Sequence, residues 1–118
     1  MTTARDTERE TRFLAGAARG HNPFVAQAQA RLEAGEEIYS DSWAWIGILR
    51  HLAELLEEAA DLGSWAALAD QALDREQLTE REREHIRASL ELAACCGAQA
   101  HAALTAGLGL LRAAKEPA

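Results

Sequence analysis

From Trp45 to Leu62 the apolar residues return at helical intervals: Trp45, Ile48 and Leu49, Leu52, Leu55 and Leu56, Ala59, Leu62. A strand cannot present that spacing on one side, because its faces alternate at every second residue. A chain built around such a segment has a wide apolar helical face to bury. The remaining residues point the same way. Aromatic residues make up 5% of the chain, and Val, Ile and Thr are sparse, which argues against an all-β core. With 118 residues, 48% of them hydrophobic, the chain is expected to fold rather than stay disordered. The reading is one all-α domain over residues 1–118, an antiparallel bundle of four to five helices, alone or as a homodimer.

The helix boundaries follow from local signals. A first helix, about Thr3 to Arg19, alternates charges of both signs and is expected as a peripheral arm over residues 1–20. Gly20-His21-Asn22-Pro23 is a strong break, with Pro23 placed to open a second helix. That helix is expected over 23–35, with Gly35 as its C-terminal cap and a loop from Glu36 to Asp41. The third is expected over 42–73, capped by Asp41 or Ser42 and running through Gly63-Ser64. The last is expected over 79–114, opened by the capping box Thr79-Glu80-Arg81-Glu82. Its stripe is Ile86, Leu90, Ala93, Gly97, Ala100, Leu104, Leu108 and Leu111. The small residues in the middle of that stripe let another helix backbone come close.

Charge and cysteine content narrow the function. Twelve Lys+Arg against 19 Asp+Glu leave a net charge of -7, the wrong sign for direct nucleic-acid binding. Cys95 and Cys96 are adjacent, which suits two free, buried thiols in a reducing compartment. The N-terminus shows no apolar signal region, and Ala88 to Leu111 carries Glu91, Gln99 and His101, as a buried helix does better than a membrane span. A cytoplasmic protein with no membrane contact is expected. Glu82-x-x-His85 has a di-iron spacing, but Glu82 is already committed to the capping box.

The third helix carries Glu54, Glu57, Glu58 and Asp61 at i, i+3, i+4 and i+7, so all four carboxylates share one face. Like charges at these offsets repel. Such a row is an ordinary solvated face, a set of oxygen donors for a hard divalent cation, or a surface for a basic partner. Glu33, Glu36 and Glu37 are the carboxylates of the preceding helix and loop, and Arg31 and Arg50 are the nearest bases. Tyr39, Trp43 and Trp65 are candidates to stack on a nucleobase or to anchor a partner, while Trp45 fits the core.

Glu33-x-x-Glu36 on one helix and Glu58-x-x-Asp61 on the next resemble the paired acidic motifs of the MazG-like all-α nucleoside triphosphate pyrophosphohydrolases. The string Arg31-Leu32-x-x-Gly35-x-x-x-Tyr39, Ser42-Trp43, Leu52 to Leu62 and Trp65-Ala66 is similar to small, often phage-encoded, relatives. The resemblance spans about Arg31 to Leu68. It implies Mg²⁺ held by Glu33, Glu36, Glu54, Glu57, Glu58 and Asp61, with Glu58 the catalytic carboxylate. It also implies a nucleoside triphosphate contacted by Arg50, Tyr39, Trp43 and Trp65. Gly35 falls inside the first motif, where the family has unbroken helix. The alternative is a small acidic helical protein, of phage or defence type, that occupies a partner protein without catalysis.

Overall fold

The computed structural model describes residues 5–39 and 47–116, with Tyr39 described by its backbone alone. The expected all-α class holds: the elements are α1 (Thr7–Ala18), α2 (Asn22–Tyr39), α3 (Ile48–Leu73) and α4 (Glu80–Lys115), with no strand among the described residues. The chain divides into two compact units, Met1–Ile46 and Gly47–Ala118.

In the first unit α1 starts where Asp6 caps it, its side chain accepting from the Arg9 N–H at 3.1 Å. Glu8 and Glu10 in the first turn suit the positive end of the helix dipole. The helix stops because Arg19 turns left-handed (φ 50°) and Gly20 follows at φ 89°, a conformation that glycine adopts without steric cost. Pro23 then sits in the first turn of α2, where its missing N–H costs nothing. The two helices run in opposite directions, since Arg5 pairs with Glu36 and Thr11 accepts from Gln29 at 3.1 Å.

Two boundaries differ from expectation. Gly35 does not cap α2; the helix runs on through Glu36 and Glu37 to Tyr39. Gly35 is the buried residue of this unit among those described. A helix-interior glycine costs about 1 kcal/mol, which packing at a buried position offsets. The third helix begins at Ile48 rather than Ser42. Gly47 is extended (φ -65°, ψ 162°) and offers no side-chain cap, although its carbonyl already accepts from Arg50 N–H at 3.1 Å. Asp41, Ser42 and Trp45 lie outside the described residues.

The second unit is a helical hairpin. Along α3, Leu52, Leu56, Ala59, Gly63, Ala66, Asp70 and Leu73 are buried or half-buried, alternating steps of four and three. Along α4 the same alternation runs through Arg83, Arg87, Leu90, Ala94 and Gly97, then Leu104, Leu108 and Leu111. This is the seven-residue repeat that keeps one seam facing a partner helix. Arg83 meets Leu73, Arg87 meets Asp70, and Gly97 meets Ala59, so the two helices run in opposite directions. The central contact is close: a Cβ on Gly97 would stand 2.8 Å from the Ala59 carbonyl oxygen and 3.5 Å from Leu62 Cβ. Gly97 therefore admits the α3 backbone as the small-residue stripe suggested, whereas Ala93 is half-buried and Ala100 exposed beside the seam. As expected, α3 is helical through Gly63-Ser64, and the Thr79/Glu82 capping box forms, with Thr79 N–H donating to Glu82 at 2.9 Å and Glu82 N–H donating to Thr79 at 3.1 Å.

The loop end of the seam is polar. Arg83 donates to the Leu73 carbonyl and, at 2.9 Å, to the Glu76 carbonyl, which satisfies acceptors left open where α3 ends. Arg87 clamps two carboxylates at the C-terminal end of α3, Asp70 within the helix at 2.7 Å and the capping residue Asp74 at 2.8 Å. Those hydrogen bonds, Asp70 first, raise the affinity of its guanidinium for its proton.

Candidate functional site

Because α3 is unbroken, Glu54, Glu57, Glu58 and Asp61 stay in helical register, and all four are exposed. They lie on the side of α3 turned away from the seam positions Leu52, Leu56, Ala59 and Gly63. Arg50 donates from Nε to Glu54 Oε1 at 3.1 Å, with side chains 67% and 54% exposed, a pair that contributes little against water. Glu57, Glu58 and Asp61 have no ion pair among the described residues. The row is thus three uncompensated carboxylates and one compensated one.

The carboxylates of α2 divide differently. Glu33 and Glu37 are exposed, while Glu36 is engaged by Arg5. The Arg5 side chain is 8% exposed and also holds Glu10 through two parallel hydrogen bonds, Nε to Oε1 at 2.8 Å and Nη2 to Oε2 at 2.7 Å. That fork on Glu10 raises the Arg5 proton affinity, with Glu36 adding to it. Glu36 is therefore a structural partner in the α1/α2 pair. Sequence reading passed over Arg5, Arg83 and Arg87. The signal for the last two was present, because they continue backward the spacing that leads to Leu90 and Gly97.

The chemistry of these side chains suits a hard cation, which takes carboxylate oxygens. Their geometry does not supply a ready cage: among the described residues no three His, Cys, Asp or Glu side chains come together to hold a metal ion. The remaining expected contacts fare unevenly. Arg50 is exposed beside the row and joined to it through Glu54. Trp65 is 70% exposed, so it is not a core residue. Trp43 and the Tyr39 side chain lie outside the described residues. Cys95 and Cys96 are free, as expected, but exposed rather than buried, because their positions fall just beyond the seam residue Ala94. One stretch of α4 is apolar and long enough to cross a membrane by length and composition.

Comparison with known protein families, with curated proteins and with solved structures finds no match for this chain.

Proposed function

We propose that the chain is an acidic helical interaction protein that presents the Glu54–Asp61 row to a basic surface on a protein partner. The observation that carries this reading is that Glu57, Glu58 and Asp61 stand exposed on an uninterrupted helix with no cation among the described residues to neutralise them. Each like-charge pair at i,i+3 or i,i+4 costs the helix about 0.2–0.5 kcal/mol, a cost relieved when a basic partner docks. The test is fluorescence anisotropy with a labelled oligo-arginine peptide over a series of salt concentrations. Wild type is expected to bind, and to weaken as salt rises. The combined variant Glu54→Gln, Glu57→Gln, Glu58→Gln and Asp61→Asn is expected to lose binding yet melt higher than wild type. Binding that ignores salt, or survives in the variant, would refute the reading.

A second reading rests on the course of α2. The helix is continuous through Gly35, so Glu33 and Glu36 occupy one helix without interruption, as the MazG-like resemblance requires of its first acidic motif. On that reading Glu54, Glu57, Glu58 and Asp61 hold Mg²⁺, Glu58 is the catalytic carboxylate, and Arg50 and Trp65 contact a nucleoside triphosphate. Thermal melting with and without Mg²⁺ or Mn²⁺, on wild type and on Glu58→Ala, separates the two. A metal-dependent rise lost in Glu58→Ala favours the nucleotide reading, because a ligand of the native state alone stabilises it. An unchanged midpoint removes it.

A further inference from the structure

The α3/α4 seam leaves two flanks, and they are unlike. In two helices that run in opposite directions on a seven-residue repeat, the residues preceding one seam position on each helix fall on the same side. On α3 that side carries Ile48, Leu55 and Leu62, which recur every seven residues and are 52%, 49% and 42% exposed. On α4 it begins with Ile86, 38% exposed, and continues through the small residues Ala93 and Ala100. None of these positions is charged. The other flank is different in kind, since α4 places Glu84, Glu91 and Arg112 along it.

We propose that this uncharged flank is where a second copy of the chain docks, so that two hairpins complete one four-helix core. The shape of the flank argues for a copy of itself. Large side chains stand on α3 and, beyond Ile86, small ones on α4, and a two-fold rotation lays the large residues of one hairpin over the small ones of the other. Length argues the same way. Helices α3 and α4, of 26 and 36 residues, extend about 39 and 54 Å. Helices α1 and α2, of 12 and 18 residues, reach only about 18 and 27 Å. Another hairpin is the element of this chain that matches the flank end to end. A strip about 39 Å long and two helices wide offers about 800 Å², which is what one partner contributes to a standard stable interface.

The hairpin also needs the cover. Among the described residues its buried apolar side chains are Ala59, Ala66 and Leu73, and no large side chain is fully buried. Two helices with so small an interior form half of a bundle. A lipid bilayer fits the same surface less well. The apolar stretch of α4 is 6% buried within the chain, but a bilayer would also receive Glu91 on α4 and the carboxylate row on α3. Glu54, Glu57 and Asp61 face another direction, so a dimer leaves them free and presents them twice, while Glu58 stands at the rim of the contact, between Leu55 and Leu62.

The experiment is sedimentation equilibrium of the full chain, with photocrosslinking at single positions. Wild type is expected at twice 12.8 kDa. Leu62→Glu is expected to weaken the dimer by roughly a hundredfold or more, because it sets a carboxylate in the contact on both copies. A photoreactive residue at Leu55 keeps the test independent of any folding defect in Leu62→Glu. It is expected to give a crosslinked dimer, and the same residue at Ala67, on the other flank, none. A monomer at every concentration would overturn the proposal. So would crosslinking from Ala67 instead of Leu55, or binding to phosphatidylcholine–phosphatidylglycerol vesicles in place of self-association.

Discussion

At the residue scale, two glycines on facing helices have opposite roles. Gly97 is buried, and a Cβ there would press on the Ala59 carbonyl at 2.8 Å, a backbone atom that moves only if the helix moves. Gly97→Ala is therefore expected to destabilise by about 1–3 kcal/mol despite the better helix propensity of alanine. Gly63 has open space around its Cβ position, so Gly63→Ala is expected to be neutral or to stabilise by up to about 1 kcal/mol. Urea melts of the two variants read the difference directly. Arg87 joins Asp70 and Asp74 with two separate nitrogens, a fork that an ammonium does not reproduce. Arg87→Lys is expected to lower the melting midpoint at low salt and to converge on wild type as salt rises.

At the element scale, α4 owes its start to the capping box. Thr79→Ala removes the acceptor for the Glu82 N–H and is expected to cost about 1 kcal/mol. The Thr79 N–H, and next the Thr79 side chain, hold the Glu82 carboxyl below its ordinary value. A carboxylate whose pKa is depressed on folding contributes stability that is complete above the unfolded-state pKa. That contribution fades as pH falls through the lowered folded value. Melting from pH 7 down to pH 2 is expected to show this loss in wild type and to show less of it in Glu82→Gln. The element boundaries that sequence reading placed correctly are those with a side-chain or backbone signal of their own, such as Gly20 and Thr79, whereas the Asp6 cap that starts α1 was not anticipated. Gly35 reversed its expected role. Glycine is compatible with a helix end and with a crowded helix interior, and only the surroundings choose between them.

For the whole molecule, the two units differ in how much they bury. The α3/α4 hairpin has a seam that runs its length, whereas Gly35 is the buried residue of the α1/α2 pair among those described. Backbone amide exchange is expected to be slowest around Ala59, Ala66 and Gly97 and to approach unprotected rates in α1, as measured by hydrogen–deuterium exchange. If the hairpin dimerises, its protection and its melting midpoint rise with protein concentration, while those of α1 do not.

The all-α class, four helices, the capping box and a small-residue stretch of the last helix open to close approach were all legible along the chain. Each follows from period, local hydrogen-bonding chemistry or side-chain size, which act within a few residues along the chain. The shared face of Glu54, Glu57, Glu58 and Asp61 was legible for the same reason, since helical spacing alone sets it. Tertiary structure decided what spacing does not carry. It turned Trp65, Cys95 and Cys96 outward, gave Glu36 to Arg5, and set Arg83 and Arg87 on the C-terminal end of α3. Those outcomes depend on which residue of a second helix stands opposite. That choice is made by the summed packing of the whole seam rather than by any one motif.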